Sequence, residues 1–103
     1  MMSLAIRGGT MIKLAKERRI QKRKQISLPV FYEYTEKHEH LYDHGTTFDI
    51  SDSGICFYGR NPLLENLSIQ VHVPDLWDKP KYGSVRWCSM KNFNFYKIGV
   101  ILH

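Results

Sequence analysis

From Gln25 onward, apolar and polar residues alternate with a period of two. Ile26, Leu28, Val30, Tyr32 and Tyr34 alternate with Gln25, Ser27, Pro29, Phe31 and Glu33. This predicts a strand with one buried face, and Pro29, which has no N–H for a ladder, places it at an edge or a bulge. Residues 36–45 are polar, end in Asp43-His44-Gly45 and read as a loop. Residues 46–51 alternate again, with Phe48 and Ile50 assigned to the core face and Thr47, Asp49 and Ser51 to the other. Asp52-Ser53-Gly54 predicts a turn, after which Ile55-Cys56-Phe57-Tyr58 returns as the partner strand of a hairpin. A loop with Asn61-Pro62 follows. Leu67, Ile69, Val71 and Val73 then give the cleanest alternation in the chain. After a second loop over residues 74–80, strands over 82–88 and 95–102 are joined through a Met90-Lys91-Asn92 turn. Six short strands with regular turn spacing predict an all-β fold, an antiparallel sandwich or small barrel.

The first 24 residues break the pattern. Residues 1–10 contain Gly8-Gly9 and no periodicity, and read as a tail outside the fold, with Met11 a plausible initiator. Residues 11–24, rich in helix formers after Thr10, predict a short basic helix or arm, and residues 25–103 form the barrel. Charge sharpens the division. Residues 1–24 hold Arg7, Lys13, Lys16, Arg18, Arg19, Lys22, Arg23 and Lys24 against Glu17 alone, whereas the rest of the chain is slightly acidic. A basic arm on such a body is expected to meet an anionic partner: nucleic acid, a phosphate-bearing ligand or an acidic membrane surface.

The remaining composition excludes several classes. The 103 residues suffice for one domain and one modest core. No apolar run approaches the ~18 residues of a membrane span, and the apolar stretch near the start is too short for a signal-peptide core. Cys56 and Cys88 are too few for a disulfide framework or zinc ribbon, so a cytoplasmic protein with two free thiols is expected. His38, His40 and His44 lack a carboxylate or Cys at ligand spacing on a regular element and read as solvated loop residues, not a metal site. No Ser/His/Asp or Cys/His arrangement and no phosphate-cradling glycine loop is legible, so no enzyme is expected.

Two features call for a common explanation. Arg19-Ile20-Gln21-Lys22-Arg23 sets two guanidinium groups four residues apart, and Asp49-Ile50-Ser51-Asp52-Ser53-Gly54 sets Asp49 and Ser51 on one strand face beside a glycine turn. The pair resembles the signature of the PilZ family, R-x-x-x-R followed by [D/N]-x-S-x-x-G, on small barrels that bind the bacterial second messenger cyclic di-GMP. Leu28-Pro29-Val30, Gly83-Ser84-Val85-Arg86-Trp87 and Ile98-Gly99-Val100-Ile101 are also similar to that family, so the resemblance spans about residues 18–102. It implies a six-stranded split barrel and a receptor that relays cyclic di-GMP to an effector protein. Many such domains carry a helix after the last strand; here His103 directly follows that strand, so the arm or a partner is expected to cover that end.

The residue chemistry agrees with that ligand. An arginine fork pairs bidentately with phosphate or with the O6 and N7 edge of guanine, which lysine cannot do. Asp49 accepts from a guanine N–H or orients an arginine, Ser51 donates or accepts, and Gly54 permits a positive φ and close approach of the ligand. Arg18, Arg19, Arg23, Asp49, Ser51 and Gly54 are therefore the expected ligand-binding residues, with Lys22 and Trp87 as secondary candidates. In proteins of this kind the residue before the R-x-x-x-R pair influences ligand number, and Arg18 there implies two molecules of cyclic di-GMP per chain. The alternative is an OB-like barrel that binds single-stranded nucleic acid through the arm, which leaves Asp49 and Ser51 beside the arginines unexplained. A third reading is a ligand-blind interaction module that kept the fold.

Overall fold

The structure, a computed structural model, describes residues 23–103. Six antiparallel strands, β1 (Pro29–Glu36), β2 (Glu39–Ile50), β3 (Gly54–Gly59), β4 (Ser68–His72), β5 (Lys81–Asn92) and β6 (Phe95–Leu102), close into a barrel in the order β1-β2-β3-β6-β5-β4. The expected small barrel is therefore the observed architecture. Closure leaves no open sheet edge and collects the inward residues of every strand into one core. Val30, Phe57, Val71, Val73 and Ile98 are fully buried there, and the Phe57 ring packs 4.8 Å from that of Tyr32. Among the described residues no helix is long and apolar enough to cross a membrane. The predicted tail and most of the basic arm, including Arg18, Arg19 and Lys22, lie outside the described residues.

Three local readings need correction. Residues 36–45 are not a loop: a two-residue turn at Lys37-His38, with φ of 51° and 69°, closes a long hairpin, and β2 starts at Glu39. Both turn residues adopt the left-handed conformation that type I′ turns require and that Asn-Gly usually supplies. Polarity misled because one face of this hairpin, with His40, Tyr42 and His44, is exposed, and on the other only Tyr34 and Leu41 reach the core. His40 accordingly sits on a strand, with Nε2 2.8 Å from Glu33 Oε1 and Nδ1 3.2 Å from Thr35 Oγ1. The last turn likewise falls later than expected, at Phe93-Asn94, since Asn92 pairs with Phe95.

The third correction concerns the phase of β2. Thr47 pairs with Phe57 but Asp49 pairs with Cys56, so Phe48 is an extra residue, a β-bulge. Beyond it the alternation resets. Thr47, expected on the outer face, is fully buried, and Phe48, expected in the core, packs 4.8 Å from Tyr58 outside it, under the Lys97 ammonium. A buried hydroxyl must be paired. Thr47 Oγ1 accepts from Leu28 N at 2.9 Å and donates to Ile26 O, while Thr47 N donates to Leu28 O at 2.9 Å. Lys24 and Ile50 add two backbone bonds, so residues 24–28 are clipped along β2 as an extended strap. Replacing Thr47 with the isosteric valine is expected to strand Leu28 N and Ile26 O and to cost about 1–3 kcal/mol in equilibrium urea unfolding.

Candidate functional site

The strap delivers Arg23 to the barrel. Its Nη1 donates to Asp49 Oδ2 at 2.6 Å, across 26 residues of sequence, with the arginine side chain 68% exposed and the aspartate 20%. Asp49 reaches this position because the Phe48 bulge keeps it off the core face. The carboxylate bond raises the Arg23 pKa further above its ordinary value. Asp49 Oδ1, by contrast, is buried and without a hydrogen-bond partner among the described residues. Cys56 faces this pair across the ladder, and burial followed by the Asp49 charge pushes its thiol up, so it is a neutral neighbour at pH 7.

One transverse row crosses four adjacent strands: Asp49 pairs with Cys56, Cys56 with Gly99, and Gly99 with Trp87. A second bulge, between Val85 and Trp87, places both Arg86 and Trp87 on the outer side of β5. The Trp87 indole lies on Gly99 so closely that a Cβ there would stand 2.3 Å from Trp87 Cε2. Glycine at this position is thus a packing requirement. Over the row opens a cleft of about 270 Å³ whose walls include Arg23, Ser51, Gly54, Cys56, Arg86 and Trp87.

Of the expected residues, Arg23, Ser51, Gly54 and the secondary candidate Trp87 line one cleft, and Asp49 stands behind Arg23 as its partner. Arg18, Arg19 and Lys22 lie outside the described residues. Ser51 is committed to the turn: its N–H donates to Gly54 O at 2.9 Å, and its Oγ lies 3.5 Å from the same oxygen. Gly54 does not adopt a positive φ. Its small size instead accommodates β6, where a Cβ would meet Val100 O at 3.2 Å. The reading missed Arg86. Strict alternation from Val85 would have turned Trp87 inward, and nothing in Val85-Arg86-Trp87 signals the bulge that presents both side chains together.

No protein-family model and no curated protein matches the chain. Among solved structures, the barrel is similar to that of the Bacillus subtilis inhibitor of motility, MotI/DgrA, with a TM-score of 0.60 at 16% sequence identity. The match covers 84% of this chain and 43% of that one, so the present chain corresponds to less than half of its neighbour. At this identity the likeness is one of fold, and the fold it shows is PilZ-like.

Proposed function

We propose that the cleft between Arg23 and Trp87 binds cyclic di-GMP and that the protein is a non-catalytic cytoplasmic receptor acting on an effector protein. The observation that carries this reading is the 2.6 Å pairing of Arg23 with Asp49, which joins the R-x-x-x-R and D-x-S-x-x-G segments at the cleft mouth. Arg23, oriented by Asp49, offers its remaining N–H groups to a phosphate or a guanine edge. Arg86 supplies a second fork from the opposite wall, and Trp87 an aromatic surface. At about 270 Å³ the cleft is smaller than the ~300–1,000 Å³ usual for a whole ligand, so it takes one guanine and its phosphate, with the rest of the molecule left to the arm. Four charge-assisted bonds at ~1.5–3 kcal/mol each, less ~2–5 kcal/mol for ordering and with ~1–3 kcal/mol returned by each base that stacks on an aromatic ring, reach the roughly −8 kcal/mol of a 1 μM affinity in the upper part of their range. The fold shared with an inhibitor of motility supports regulation through a partner in place of catalysis. Calorimetric titration with cyclic di-GMP tests the reading.

Arg18 carries the stoichiometry. Two intercalated ligands bring four negative charges together, and Arg18, Arg19, Lys22, Arg23 and Lys24 offset them. The expected calorimetric ratio is two molecules per chain, falling towards one in Arg18→Leu. A ratio of one for fully active unmodified protein contradicts this assignment.

A further inference from the structure

The strand directions place both long hairpin turns, Lys37-His38 and Phe93-Asn94, at one end of the barrel, and the Asp52-Ser53 turn at the other. The two hairpins have opposite character. Residues 79–103 hold Lys79, Lys81, Arg86, Lys91 and Lys97 and no acidic residue, whereas residues 29–45 hold Glu33, Glu36, Glu39 and Asp43 against Lys37. Their shapes are also opposite. The β5–β6 hairpin ends in a convex apolar tip, with Phe93 96% exposed and Met90 66% exposed beside Lys91. Against the β1–β2 hairpin lies a groove of about 480 Å³ between β2 and the loop after β3, floored by Tyr34, Leu41, Leu63 and Leu64 and rimmed by Glu36 and Asp43. Asn61 Nδ2 donates to Asp43 Oδ2 at 2.9 Å, which ties the loop to the hairpin and fixes that carboxylate on the rim.

We infer that the occupant of this groove is the β5–β6 tip of a second copy of the chain, with Phe93 on the leucine floor and Lys91 against the Glu36–Asp43 rim. The apolar tip and apolar floor leave water together, and the charges that flank them are opposite in sign. Tip and groove share one end of the barrel, so a two-fold axis through that end makes both contacts at once and gives a closed, isologous pair. An anionic lipid surface fits less well, because the acidic hairpin at the same end would be pressed against like charge.

Sedimentation velocity of the full chain over a concentration series tests the pairing. The unmodified protein is expected to dimerise reversibly. Phe93→Asp, at an exposed position where folding is not at stake, should weaken the dimer by at least about thirtyfold. Lys91→Glu and Glu36→Lys should each weaken it by at least about tenfold, and the double variant, which restores the opposite pair, should recover most of that loss. A protein that stays monomeric up to about 1 mM, a dimer indifferent to Phe93→Asp, or open polymers in place of a closed pair would each overturn the inference. Monomeric protein that co-sediments with phosphatidylglycerol vesicles, and loses this with Phe93→Asp, would assign the tip to a lipid surface instead.

Discussion

Arg23→Ala is expected to weaken cyclic di-GMP binding by about 2–5 kcal/mol, roughly thirtyfold to a few thousandfold in Kd, while leaving the barrel folded. The size follows from what remains behind: Asp49, only 20% exposed, faces the incoming phosphate with its charge unpaired. The arginine itself is 68% exposed and contributes at most about 1 kcal/mol to stability as a surface pair, so unfolding curves of the variant should nearly overlay those of the parent. Arg23→Lys separates charge from geometry. It keeps the cation but not the two-point fork, and should recover only a small part of the affinity. Wild-type titration curves for Arg23→Ala would remove the cleft from the account.

The second large effect is on the fold. Phe57 is fully buried at the centre of β3, packed on Tyr32, and the cleft residue Cys56 is its neighbour in sequence. Phe57→Ala is expected to cost about 3–5 kcal/mol, a large share of the ~5–15 kcal/mol available to a domain. In thermal unfolding that lowers Tm by at least about 12 °C, and ligand binding should fall in parallel with the folded fraction. An unchanged Tm would mean that β3 does not cross the core as described.

β4 was legible because its alternation is uninterrupted, and Ile69 and Val71 are buried where that period places them, while β3 and β6 were legible as short runs bounded by turns. That Asp49 orients an arginine was legible from its residue type, and Arg23 is the arginine it meets. What alternation does not convey is the insertion of single residues. Phe48 and Arg86 each reset the phase of a strand, and both insertions turn side chains at the cleft outward on the same flank of the barrel. The tight turn at Lys37-His38 was hidden for a different reason: lysine and histidine at positive φ carry none of the Asn-Gly signal. Thr47 marks the general lesson. A threonine inside a barrel is intelligible only with the strap that it binds, and that pairing spans 19 residues to Leu28 and 21 to Ile26.

On the proposed reading, the cleft recognises a dinucleotide through a few fixed forks and not a polymer through diffuse charge. Isothermal titration with cyclic di-GMP at two salt concentrations, with GMP and single-stranded RNA as controls, tests it most directly. The expected result is binding at or below about 1 μM for cyclic di-GMP, much weaker binding of GMP, and a shallow salt slope set by two phosphates per ligand. No heat with cyclic di-GMP, alongside RNA binding that collapses steeply with salt, would contradict it and identify the basic arm as a nucleic-acid contact.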